Sequence, residues 1–189
     1  MKGNGAAADT AKGNDQSVER LFQGLIWPAV AGNVLWGFLT TALHAGGSDS
    51  QWPRAAILGL VAAYLGREWW RSQKFQYDST VGLIVTETIF AVAFASMAIA
   101  TQQDQGYVVL GACSALYVWG CVAHHWNLWP GPRLARSRGM MATHFVAVLS
   151  MVSLLYRGPD LNGPGFWWWL LGTMGAVMTV SLGTDRRHP

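Results

Sequence analysis

Five residues in this chain could do acid–base or metal chemistry, Glu68, Glu87, His124, His125 and His144, and they fall at similar heights. Glu87 interrupts an otherwise uncharged apolar run, about 12 Å into the helix that the run predicts. A carboxylate at that depth in a membrane is costly and ordinarily faces a bundle interior or an aqueous cavity. It is expected to act as a general acid or as a proton-coupling site. Its alternative is a structural, neutral Glu bonded to Asn33, Thr86 or a backbone carbonyl. Glu68 lies at the end of another apolar run, with Tyr64 one turn before it and Arg71 three residues after it on one face. Arg67 and Arg71 are either half of an interfacial ion pair or the contact for an anionic group such as a lipid head. His124 and His125 close a fourth run, and His144 lies about 8 Å into the next.

These groups support three chemistries. A proton relay could pass from Glu87 through His144 to water. A His/Glu metal site or a haem held by two histidines would use the same residues. The metal signal is weak, because no His-x-x-x-His or His-Glu-x-x-His motif occurs, and no metal is assigned. No Ser stands in a Gly-x-Ser-x-Gly setting and no phosphate-cradling loop is present. Asn33, Trp36, Tyr64, Tyr117 and Trp119 lie deeper and are expected to line a substrate pocket. Packing against lipid is the competing reading for Trp36 and Trp119. Cys113 and Cys121 are eight residues apart, about 12 Å along one helix, which excludes a disulfide between them.

The elements that must position these side chains follow from where charge is missing. Only 12% of the 189 residues are charged, about half the level of a soluble domain. The 22 Gly and 11 Trp fit a bundle with close helix contacts and interfacial aromatic belts. Charges and turn residues cut the chain into six apolar segments, at about 21–43, 53–72, 79–101, 107–126, 139–156 and 166–182. Residues 1–20 read as a polar tail without signal-peptide character, and 183–189 as a second short tail. Pro28 is placed to kink the first span, Pro53 suits the first turn of the second, and Asp78 or Ser79 is a natural cap for the third. The second span is the weakest, since its uncharged stretch is short, and a re-entrant helix competes with it.

The expected fold is therefore all-α, a polytopic transmembrane bundle of about six spans. Eleven of the thirteen Lys and Arg fall on the side of the two chain ends, which predicts a cytoplasmic N-terminus and C-terminus. Arg54 and Arg157 are the two on the outer side. Such a protein is expected in a bacterial plasma membrane, among membrane lipid, with a homo-oligomer as an available assembly. The scattered basic residues exclude a nucleic-acid partner. No internal repeat is visible.

Three functions fit. The first is an intramembrane enzyme working by acid–base chemistry on a hydrophobic small molecule, possible isoprenoid-like substrates included, from a cytoplasm-facing pocket. The second is a transporter or channel for a small molecule or protons. The third is a non-catalytic subunit of a membrane complex. No cofactor is specified by the sequence.

Overall fold

The computed structural model describes residues 21–44, 51–74, 80–125, 136–158 and 160–185. Six long helices account for nearly all of them: α1 (Trp27–His44), α2 (Gln51–Lys74), α3 (Thr80–Gln102), α4 (Gly106–His125), α5 (Arg136–Arg157) and α6 (Pro164–Asp185). Each overlaps one of the six apolar segments. The Asp78–Ser79 cap lies outside the described residues.

A π-helical turn, Phe22–Ile26, leads into α1, and Trp27 N–H bonds back to Phe22 O. Pro28 explains the irregularity. It has no N–H to continue an α-helical ladder, and a widened turn just before it absorbs the mismatch.

Five of the helices are long and apolar enough to cross a membrane. Their outward faces agree: Leu35, Trp36 and Leu39 on α1, and Phe145, Val146, Leu149 and Val152 on α5, are exposed. In water so much apolar surface would drive aggregation, whereas hydrocarbon wets it without cost. The chain is a multi-pass helical membrane protein.

The exception by hydropathy is α2, and its packing explains why. It is one uninterrupted helix of 24 residues, about 36 Å long, which is enough to span. Ile57, Leu58 and Val61 on it are fully buried, and it packs against α1, α3 and α6. A helix surrounded by protein can carry Arg54, Tyr64, Arg67 and Glu68 because those side chains meet other helices rather than lipid.

The helix contacts form a closed ring. α2 packs on α3, α3 on α4, α4 on α5, α5 on α6, and α6 back on α2. α1 lies outside this ring, against α2 and α3. Its inward residues are Trp27, Val30, Val34, Gly37 and Thr41, spaced three or four apart. The helices alternate in direction. Arg54 at the start of α2 meets Thr101 at the end of α3, and His144 near the start of α5 meets Tyr117 near the end of α4. The bundle thus has two ends, here the Arg54 end and the Arg67 end.

Candidate functional site

The five-helix ring encloses a cavity of about 50 Å³ near the Arg67 end. That is room for a few water-sized groups. Its polar lining comes from α2 (Tyr64, Arg67, Glu68), α4 (Tyr117), α5 (His144) and α6 (Ser181). These residues lie about 6 to 15 Å from the Arg67-end termini of their helices, so they form one layer. Phe90 and Phe94 of α3 and Met174 and Val177 of α6 supply an apolar wall.

Arg67 Nη1 donates to Glu68 Oε1 at 2.6 Å, and both side chains are about nine-tenths buried. Neighbouring residues on a helix do not ordinarily face each other. Here both turn toward the ring interior, because the alternative at this depth is lipid. The pair carries no net charge, which offsets the attraction Arg67 alone would exert on an anion.

His144 is held from three directions. Its Nδ1 is 2.7 Å from Met140 O, one turn back on α5. Only a protonated Nδ1 can donate to a carbonyl, so Nε2 of the neutral ring carries the lone pair. The Tyr117 ring meets it edge-on at 5.7 Å. Gly120 lies beneath it: a Cβ there would come within 2.3 Å of His144 Cδ2. Only glycine at position 120 lets the imidazole lie against α4.

Tyr64 completes the layer. Its hydroxyl is buried and has no hydrogen-bond partner among the described residues. A buried orphan hydroxyl costs about 1–3 kcal/mol. It is the kind of group that a ligand or an ordered water satisfies.

Of the residues expected at a site, the cavity brings together Tyr64, Arg67, Glu68, Tyr117 and His144. Glu87, Asn33, Trp36 and Trp119 do not line it. Glu87 is buried but faces α1, where Trp27 Nε1 donates to its Oε2 at 2.6 Å. Thr86 Oγ1, one of the partners expected for it, has none. Glu87 still borders the cavity wall, because Phe90 and Phe94 follow it at three and seven residues on the same face, and Phe94 packs on Trp27. Trp36 is 65% exposed, two residues out of phase with buried Val34. Trp119 packs at the edge of the core with its indole N–H unpartnered. The side chains of His124 and Arg71 lie outside the described residues. Among the described residues no cluster of three or more His, Cys, Asp and Glu could hold a metal.

Sequence reasoning missed Ser181, Phe90, Phe94 and Met174, which carry no signal beyond the inward stripe of their helices. It also read Arg54 as an outer-side charge. Arg54 is 8% exposed and caps α3. Its Nε donates to Thr101 O at 2.8 Å, and its Nη2 donates to Thr101 O and, at 2.9 Å, to Gln102 O. Asp104 Oδ1 is 3.4 Å from Nη1, and the Trp167 ring centroid is 5.4 Å from the guanidinium carbon. α3 ends with Asp104 in the left-handed region (φ +58) and Gln105 N–H on Ala100 O, a Schellman closure that leaves its last carbonyls for Arg54.

No known protein family, curated protein or solved structure matches this chain. The chemistry of the cavity is therefore read from its own side chains.

Proposed function

We propose that the protein is an intramembrane acid–base enzyme for a lipophilic small molecule, with its reaction centre in the cavity at the Arg67 end. One observation carries the reading. Four helices each deliver a polar side chain to one small chamber, and the buried Tyr64 hydroxyl among them lacks a partner. The chamber admits a polar head of a few atoms, and Tyr64 is the group that hydrogen-bonds it. His144, basic at Nε2, is the proton acceptor, and Glu68 is the second acid–base group, oriented by Arg67. The phenylalanine and methionine side of the lining receives the apolar carbon next to the head. Because Arg67 and Glu68 neutralise each other, the fitting head is an uncharged one, such as a hydroxyl or carbonyl. Glu87 is given a positioning role, holding α1 to the cavity wall through Trp27. The basic residues of the sequence orient this end toward the cytoplasm of a bacterial cell.

The transporter alternative has one observation in its favour. A second polar pocket, lined by Thr40, Thr41, His44, Gln51, Arg54 and Gln102, opens at the other end. A carrier needs both chambers, whereas an enzyme needs one.

The test is to incubate purified protein with neutral membrane lipid extract in water labelled with deuterium and oxygen-18. An enzyme leaves non-exchangeable label, or a changed mass, in a lipophilic species, and His144→Gln abolishes that change. Label-free lipids from wild-type protein, together with wild-type flux of an extract component into liposomes, would favour the carrier and overturn the enzyme.

A further inference from the structure

At the far end of the same cavity three sulfur atoms converge from three helices. Cys113 Sγ of α4 lies 3.7 Å from Met97 Sδ of α3 and 3.9 Å from Met174 Sδ of α6. All three residues are buried, at 1%, 0% and 2% exposure. Cys113 and Met174 also line the cavity, so the cluster has a route in from the Arg67 end.

We propose that Cys113, Met97 and Met174 form a binding site for a soft monovalent metal ion, Cu(I) or its analogue Ag(I). The proposal is independent of the acid–base reading of the Arg67 end.

Geometry is the first argument. With metal–sulfur bonds of about 2.3 Å, ligand sulfurs stand roughly 3.8 Å apart in a tetrahedral site and 4.0 Å apart in a trigonal one. The two Cys113 separations, 3.7 and 3.9 Å, lie within about 0.3 Å of that range, so small side-chain adjustments would form the site. The methionines are unbranched and can make them.

Chemistry is the second. One thiol and two thioethers are soft donors, and such sets select Cu(I) over hard or borderline ions. A thioether has no charge and binds Zn(II) or Mg(II) poorly.

Charge is the third. On binding, the Cys113 S–H bond breaks, an S–Cu bond forms, and the proton leaves through the cavity, past His144 and Glu68. One thiolate and one Cu⁺ then sum to zero. A divalent ion would leave a net positive charge deep in the bundle, where uncompensated charge is costly. No electron is transferred, so no oxidant or reductant is needed.

The experiment is an anaerobic titration of the full chain in detergent with Cu(I), against a chromophoric Cu(I) chelator, followed by X-ray absorption at the copper edge. The expected result is one Cu(I) per chain, with about three sulfur neighbours at about 2.3 Å. Met97→Leu and Met174→Leu keep the volume of the core, so they are expected to fold. Each should weaken binding at least tenfold, and Cys113→Ser should abolish it. Met151→Leu, beside Ser114 on the other face of α4, should leave binding unchanged. Ag(I) should compete, and Zn(II) should not. Binding below one equivalent, binding that survives both methionine changes, or a preference for Zn(II) would overturn the site and leave the sulfurs as core packing.

Discussion

The two ends of the bundle each bury an arginine, and they use it in opposite ways. At the Arg54 end the guanidinium is consumed by structure: it closes the C-terminus of α3, pairs with Asp104 and stacks on Trp167. The surrounding turn is equally fixed. Gly106 N–H bonds Asn162 Oδ1, and a Cβ on Gly106 would strike Leu161 O at 1.9 Å, so only glycine lets the two turns touch. At the Arg67 end the guanidinium meets its sequence neighbour Glu68, beside an enclosed space and an orphan hydroxyl. Both ends keep orphan polar atoms: among the described residues, Gln51 Oε1, Thr101 Oγ1 and Trp167 Nε1 lack hydrogen-bond partners at the Arg54 end, as the Tyr64 hydroxyl does at the other. The difference is in what shares the space: Arg54 directs its donors to main-chain carbonyls, whereas Tyr64 shares one cavity with His144 and the Arg67–Glu68 pair. Burial of charge alone therefore does not mark a site, and the deciding feature is which polar groups converge on one cavity.

Substitutions can break or sharpen this contrast. The largest effect is expected at Arg54. Arg54→Ala removes charge-assisted bonds to two buried carbonyls and leaves Asp104 without its cation, costing about 3 kcal/mol or more. Thermal or denaturant unfolding in detergent measures it, and Arg54→Lys should recover part of the loss. Next comes Gly120→Ala, which drives a methyl group into His144 and should cost about 1–3 kcal/mol. It should also loosen the Nδ1–Met140 bond, which nitrogen NMR of the labelled imidazole reads as a change in tautomer. Trp27→Phe should cost about 1–2 kcal/mol by removing the donor to Glu87. Glu87→Gln should cost less, since the amide oxygen still accepts. The smallest stability effect is expected at Tyr64. Removing a hydroxyl that bonds nothing should leave stability unchanged or raise it by about 1 kcal/mol. A loss at Tyr64→Phe as large as that at Arg54→Ala would erase the contrast.

Much of this architecture is written in the charges of the sequence. Six charge-poor segments became six helices, and Glu68 and His144 were visible at a common height, whereas Tyr64 and Tyr117 read as deeper residues. Height, however, is not direction. Glu87 has the right depth, but α1 lies outside the ring and draws its carboxylate toward Trp27. No periodicity within α3 could reveal this, because it depends on which neighbour occupies which side. Trp36, for which lipid packing competed with a pocket role, is exposed and lies two residues out of step with Val34. The role of Arg54 at the end of α3 was not legible because its partners are main-chain carbonyls 47 and 48 residues away. Backbone acceptors look alike in every sequence. The convergence of Cys113 with Met97 and Met174 likewise joins three helices whose order around the ring only the fold supplies. The weak hydropathy of α2, which left a re-entrant segment as the competing reading, reflects its central place, where polar side chains meet protein.

The account rests on the Tyr64 hydroxyl being kept for a bound molecule. The direct test is label incorporation by Tyr64→Phe from deuterium and oxygen-18 water into neutral membrane lipid extract, measured per folded protein. The account predicts a stable variant whose incorporation falls at least tenfold below wild type. A stable Tyr64→Phe protein with undiminished incorporation would contradict it.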